Sequence, residues 1–153
     1  MKAPLFTNRS AMRRRRRGFT LIEIMITVAA VAILAAIALP QYTQYITRSS
    51  LVEAHGGLGA YKVLMEQYYQ DNRNYGAGDC GATAPTYKNF THTCALSNVD
   101  QGFIATATGN SGSRSDGFAF TITHANVRST TAVPSDWTLP GSPCFVTKKN
   151  GDC

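Results

Sequence analysis

A single carboxylate, Glu23, stands inside the otherwise uncharged apolar run from Phe19 to Leu39. A carboxylate removed from water costs on the order of several kcal/mol unless it is paired. Its natural chemistry there is to attract a cation. Just before it comes the order Arg17-Gly18-Phe19-Thr20-Leu21-Ile22-Glu23, in which a lone glycine separates the basic run Arg13 to Arg17 from the apolar run. A residue without a Cβ leaves the peptide bond at that junction open to close approach.

The other reactive residues are less pointed. Cys80, Cys94, Cys144 and Cys153 all lie beyond the apolar run. An even count in a small, exported, loop-rich region reads as two disulfides. Three pairings are open; Cys80–Cys94 with Cys144–Cys153 closes two local loops and is the one adopted. The rival, a four-cysteine zinc site, lacks the usual C-x-x-C spacing. His55, His92 and His124 are far apart in sequence with no metal-ligand spacing, and read as surface histidines of a polar head. Ser49, Ser50, Ser111, Ser113 and Ser115 lie in no nucleophile motif, and no phosphate-binding or dinucleotide fingerprint is present. No enzyme, cofactor or metal is expected.

The elements that must carry these residues are legible in outline. Phe19 to Leu39 is long enough to cross a hydrocarbon core as a helix, and no charge appears between Glu23 and Arg48. Arg13 to Arg17 would hold its N-terminal end in the cytoplasm. Leu51, Ala54, Leu58, Tyr61, Met65 and Tyr68 recur at helical spacing, so the helix is expected to continue with one buried face. Two features work against it: Pro40 removes a helical hydrogen bond, and Gly56, Gly57 and Gly59 are weak helix formers.

Residues 75–101 read as a long loop. Strands are expected at Gly102 to Thr108, around Phe118 to Thr123, at Asn126 to Thr131, and briefly around Phe145-Val146-Thr147. The organisation is then a leader at 1–18, a long helix at 19–70 and a head at 71–153. The fold class is α+β, an antiparallel meander packed on one helix face.

Charge supports this division. The 153-residue chain has a formal net charge of +6, with fifteen Lys and Arg against nine Asp and Glu. Lys2, Arg9 and Arg13 to Arg17 supply seven of those cations within residues 1–18, leaving eight against nine elsewhere. The basic character belongs to the leader, which weakens the case for a nucleic-acid partner.

The basic leader, Gly18, Phe19-Thr20-Leu21-Ile22-Glu23 and the apolar run together resemble the class III leader of type IV prepilins. The resemblance is strongest over residues 13–45 and becomes general in the head. It implies cleavage by prepilin peptidase between Gly18 and Phe19, N-methylation of Phe19, and retention of the helix as a single inner-membrane anchor. It further implies that Glu23 pairs with the N-terminal amine of a neighbouring subunit, and that the chain passes through the inner-membrane assembly machinery into an extracellular pilus. Pro40 aligns with a proline common in the family, where the preceding helix, here Ala32 to Pro40, can lose hydrogen bonding in the filament. The Cys144–Cys153 pair matches the C-terminal disulfide loop of many pilins. The stretch from Trp137 to Phe145 resembles PilE-type subunits, although Phe145 stands where Trp is expected.

The implied function is that of a structural subunit, a PilE-type minor pilin in a filament of other pilin subunits, with adhesion and motility as roles for such filaments. The alternatives are a type II secretion pseudopilin and a DNA-uptake receptor pilin. No acidic cluster suggests the calcium site of major pseudopilins. A DNA receptor needs a basic stripe; Arg114, Arg128, Lys148 and Lys149 are its candidates, and ordinary solvated charges are the preferred reading of them. Outside this family, Ala36-Ile37-Ala38 resembles an ordinary signal-peptide cleavage site before Leu39, but the apolar run is longer than such segments and interrupted by Glu23. Arg16-Arg17-Gly18-Phe19 echoes a twin-arginine signal, but the segment after it is too hydrophobic for that route.

Overall fold

Thr20 starts the helix. Its hydroxyl oxygen accepts the backbone N–H of Glu23 at 3.3 Å, and its carbonyl accepts that of Ile24 at 3.2 Å. This is an N-cap, and Thr20-Leu21-Ile22-Glu23 has the spacing of a capping box. Helix α1 then runs from Leu21–Asn72, 52 residues with Pro40 inside it. The computed structural model describes residues 18–153; the expected leader up to Arg17 lies outside the described residues. The chain divides between Leu39 and Pro40 into two units.

In the N-terminal unit, the apolar part of α1 is long enough to cross a membrane, and none of it is buried. Leu21, Val28, Val31, Leu34 and Ile37 are each more than 60 % exposed. No described residue of this unit covers them.

The second unit opens at Pro40, whose missing N–H removes one rung of the helical ladder. Hydroxyls bond back to helix carbonyls just after it: Thr43 donates to Pro40 at 2.9 Å, Thr47 to Thr43 at 3.1 Å and Ser50 to Thr47 at 2.7 Å. From Ser50 onward one face is buried: Ser50, Leu51, Ala54, Gly57, Leu58, Tyr61 and Met65. Tyr68, expected on this stripe, is only half-buried. The helix ends where Arg73 turns left-handed at φ 58° and its N–H donates to the Tyr69 carbonyl at 2.7 Å.

Four antiparallel strands pack on that face in the order β1-β2-β3-β4: β1 Phe90–Ser97, β2 Gly102–Gly109, β3 Ala119–Thr123 and β4 Arg128–Ala132. The expected meander is present. Its inner face carries Phe90, Phe103, Ala105, Ala107, Phe120 and Ile122, and Phe118, Trp137 and Val146 complete the core. The small Ala105 and Ala107 leave room for the helix.

Two expectations about strands are corrected. Residues 75–101 are not all loop, because Phe90–Ser97 pairs with β2 along its whole length. Residues 145–147 form no strand. Val146 is buried, but its N–H donates to the Thr130 hydroxyl at 2.9 Å instead of joining a ladder, and the same hydroxyl donates to the Cys144 carbonyl at 2.8 Å. One threonine side chain thus docks the C-terminal loop. In the hairpin between β1 and β2, Asn98, Val99 and Asp100 all have positive φ, an unfavourable setting for the β-branched Val99.

The helix passes through all three glycines without a break. Gly57 is there for space: a Cβ would lie 2.6 Å from His92 Nε2 and 2.7 Å from Tyr87 Cε2. Gly56 faces nothing within 4 Å. Opposite signs are expected for one substitution. Gly56→Ala should stabilise the chain by about 1 kcal/mol through helix propensity, and Gly57→Ala should destabilise it by about 1–2 kcal/mol through overpacking. Urea unfolding of the full chain in detergent micelles, monitored by the fluorescence of its one tryptophan, checks both.

Candidate functional site

The N-terminal candidates come together around the helix cap. Gly18, Phe19, Thr20 and Glu23 border one shallow depression. Phe19 is 78 % exposed, and a Cβ on Gly18 would meet nothing within 4 Å. The backbone on both sides of the Gly18–Phe19 bond is therefore accessible. Glu23 lies in the first turn of α1, where a negative charge also favours the helix dipole. Its carboxylate forms no salt bridge with any described residue. Chemically this is an exposed acceptor for a cation, with an apolar helical surface running away from it. The Thr-x-x-Glu spacing is a local signal for the cap, separate from the signals for a membrane segment.

The four cysteines lie in the second unit as two bonded pairs. Cys80 and Cys94 have Cα atoms 6.1 Å apart, and Cys144 and Cys153 are 6.0 Å apart. The first ties the loop after α1 to β1; the second closes the C-terminal loop docked by Thr130. Among the described residues no three His, Cys, Asp or Glu side chains converge as metal ligands would.

The histidines are not the surface residues expected. His92 is buried on the inner face of β1 under Gly57, against Tyr87. His55 is half-buried, stacked on Phe145 at 4.7 Å between ring centroids and edge-on to Phe120 at 4.8 Å. The Arg128 guanidinium lies 5.8 Å from the centre of the Phe145 ring. Burial, with the nearby Arg128 charge second, holds the His55 pKa down to about 4. Burial also lowers that of His92. Phe145, where the resemblance leads one to expect tryptophan, thus meets both the His55 imidazole and the Arg128 guanidinium.

The basic candidates form no continuous stripe: Arg114 and Lys149 border one depression and Arg128 another. Lys148 pairs with Asp152 at 3.1 Å, Lys149 pairs with Asp136, and Arg128 is engaged over Phe145. Arg114 makes no salt bridge with a described residue and borders two depressions. One, of about 710 Å³, also takes Lys88, which was not among the sequence candidates, together with Ser111, Gly112 and Ser113. Glu53 within it is already engaged, accepting the backbone N–H and side-chain amide of Asn89, both at 2.7 Å. Glu53 keeps its charge in these bonds, and Lys88 and Arg114 against it leave the groove a net charge of +1. Only the fold joins Lys88 to Arg114, so their sequence positions carry no signal.

His55 makes a pH prediction with a definite sign. Its pKa is lower folded than unfolded, so the unfolded state binds the proton more readily between about pH 6.5 and 4. Stability should fall as pH drops through that window. His55→Phe, which keeps the ring stack, should flatten this dependence in urea midpoints measured from pH 7 to pH 4.

Comparison with known proteins agrees with this geometry. Residues 13–39 match the family model of the prokaryotic N-terminal methylation motif, and residues 40–131 match that of the type IV minor pilin ComP, DNA uptake sequence receptor. The fimbrial protein EcpC of Eikenella corrodens is 35 % identical over 63 % of this chain and 65 % of its own length. A type IV major fimbrial protein FimA of Dichelobacter nodosus is 44 % identical over 45 % of this chain and 43 % of its own. The chain thus spans less than two thirds of the length of these relatives. In fold, it is similar to the Neisseria meningitidis non-core minor pilin PilV, with a TM-score of 0.52 and 21 % identity over 65 % of this chain and 98 % of that one.

Proposed function

This chain belongs to the type IV pilins, in the family of the minor pilin ComP, and from that premise we propose that it is a structural, non-catalytic subunit of a surface filament. The observation that carries this reading is the bare apolar half of α1, exposed from Leu21 to Leu39 with no cover among the described residues of its own unit. An apolar surface of that extent needs lipid or other apolar helices around it. Both would serve in turn: the bilayer before assembly, and neighbouring subunits after it.

The cap sets the order of events. Prepilin peptidase cuts between the accessible Gly18 and Phe19, and Phe19 is N-methylated. The cut comes before the helix, so the subunit keeps its anchor and spans the inner membrane once. Cleavage also creates a positive amine on Phe19. Glu23, exposed and without an ion-pair partner among the described residues, is the acceptor for the amine of a neighbouring subunit. In an apolar surround the unpaired carboxylate is costly, so its energy favours docking and fixes register. The inner-membrane assembly machinery delivers the subunit to this partner. Within the filament, Ala32 to Pro40 is the stretch where helix hydrogen bonds are easiest to give up, since Pro40 contributes no N–H. The disulfides Cys80–Cys94 and Cys144–Cys153 brace the head outside the cell, supported by Cα separations suited to such bonds. A minor-pilin role fits the ComP family match better than a secretion pseudopilin does.

A second reading is favoured by one arrangement. The Lys88–Arg114 groove is positive and lined by small polar residues, which suits a nucleic-acid backbone. That the matching family model is described as a DNA uptake sequence receptor gives this reading more weight than the sequence charges did.

Two experiments test these readings. Glu23→Val should leave cleavage and methylation intact, seen by mass spectrometry of membranes, while lowering recovery in sheared filaments by roughly tenfold or more, the effect of losing a desolvated charge pair. Normal incorporation would remove Glu23 from assembly. For the second reading, duplex DNA should bind the full chain at low salt, and Lys88→Ala should reduce the salt slope by about 1. No binding at low salt would end it.

A further inference from the structure

We propose that residues 144–153 form an acid-released strap: protonation of His55 undocks this disulfide-closed loop from the helix and the sheet while the rest of the second unit stays folded. All the groups involved belong to that unit.

The loop is a small body of its own. Cys144 and Cys153 close it. Inside it the N–H groups of Thr147 and Lys148 donate to the Asp152 carbonyl at 2.8 and 3.2 Å, and that of Gly151 donates to the Lys148 carbonyl at 3.1 Å. Its polar ties to the rest of the unit are few among the described residues. They are the two bonds of the Thr130 hydroxyl, the Thr138 N–H to the Lys149 carbonyl at 2.9 Å, and the Lys149–Asp136 pair. Phe145 and Val146 add its apolar contacts to the core. A gap of about 450 Å³, bordered by Asn126, Val127, Arg128, Pro143 and Phe145, lies where the loop meets the β3–β4 turn. An element held by so few contacts opens locally at lower cost than the whole unit.

His55, on α1, is what the strap covers. It stacks on Phe145 and meets Phe120 edge-on. Its Nε2 is buried and bonds to no described residue. A protonated imidazole carries an N–H on both nitrogens, so protonation places a charged donor where no acceptor stands. The surrounding elements offer no relief among the described residues. β4 presents Arg128, a like charge, and β3 presents Phe120. On the strap, Lys148 pairs with Asp152 and Lys149 with Asp136; on α1, Glu53 bonds to Asn89. Lifting Phe145 away opens one face of the ring to water. Burial, then Arg128, lowers the closed-state pKa from 6.5 to about 4, so protons favour the open form as pH falls through that window. The Lys149 hydrogen bond holds Asp136 below the usual carboxylate range, so that tie persists to lower pH and His55 responds first.

The test is amide hydrogen exchange of the full chain in detergent micelles at pH 7.5 and pH 5, each rate referred to an unstructured chain at the same pH. The opening constant read at the Val146 and Thr138 amides should exceed that of the β2 amides at both pH values. It should also rise about 30-fold on acidification, the ratio set by moving a pKa from 6.5 to about 4. His55→Phe keeps the ring stack and should abolish the rise. An opening constant equal to that of β2 means that the loop opens only with the whole unit, and overturns the proposal; so does a rise that survives in His55→Phe. A proton NMR titration of His55 in the unaltered chain reads the device without a substitution. Its midpoint should lie well below 6.5, and a midpoint at 6.5 overturns the proposal as well.

Discussion

Everything in this protein depends on an apolar helical surface that the described residues of its own unit do not cover. From Leu21 to Leu39 the side chains stand exposed around the helix, and burying them is favourable at about 25 cal/mol per Å² of apolar area. Packing among the described residues of that unit leaves this free energy unused. On the proposed reading a bilayer and then neighbouring pilin helices would take it up. In the proposed assembly, the lone carboxylate Glu23 at the head of this surface would make the choice specific, because lipid tails offer it no partner and a neighbouring amine does. Association among helices inside a membrane gains little from hydrophobicity itself, since tails are as apolar as leucine. Small residues such as Ala29, Ala30, Ala35 and Ala36 permit close approach, and in the proposed assembly charge pairing would set the register.

The second unit solves a different problem with the same helix. It covers one face only, beginning at Ser50, and does so with a sheet whose inner surface is shaped to the helix. Gly57 lets His92 and Tyr87 approach, and Ala105 and Ala107 keep β2 low under α1. The buried hydroxyl pair of Ser115 and Ser50, 2.9 Å apart, links the loop before β3 to the start of the buried helix face. This binds the Gly109–Gly117 connection, and with it Arg114 and Asp116, to the turns of α1 that come after Pro40.

Much of this is legible in the sequence. The Gly18-Phe19 junction, the isolated Glu23, the long helix and the alternation of Phe118, Phe120 and Ile122 all carry periodic or compositional signals. The exceptions have physical causes. β1 escapes a sequence reading because its inward positions are Phe90, His92, Cys94 and Leu96; a histidine and a disulfide cysteine hide a period-two pattern that is present. The stretch around Val146 looks like a strand because a buried apolar residue suggests a ladder, whereas the Thr130 side chain supplies its hydrogen bond. The histidines look like surface residues because nothing local shows that Phe120 and Phe145 close around His55. Lys88 and Arg114 lie on separate loops, and such a pairing is a property of topology alone.

The central claim is that cleavage precedes the helix and leaves it in place. Intact mass and N-terminal sequencing of the protein recovered from sheared filaments and membranes test it most directly. The account predicts a chain that begins with N-methylated Phe19 and retains the whole of α1. A chain beginning at Leu39 would mean ordinary secretion with the apolar helix discarded, and neither the filament core nor the role of Glu23 would survive that result.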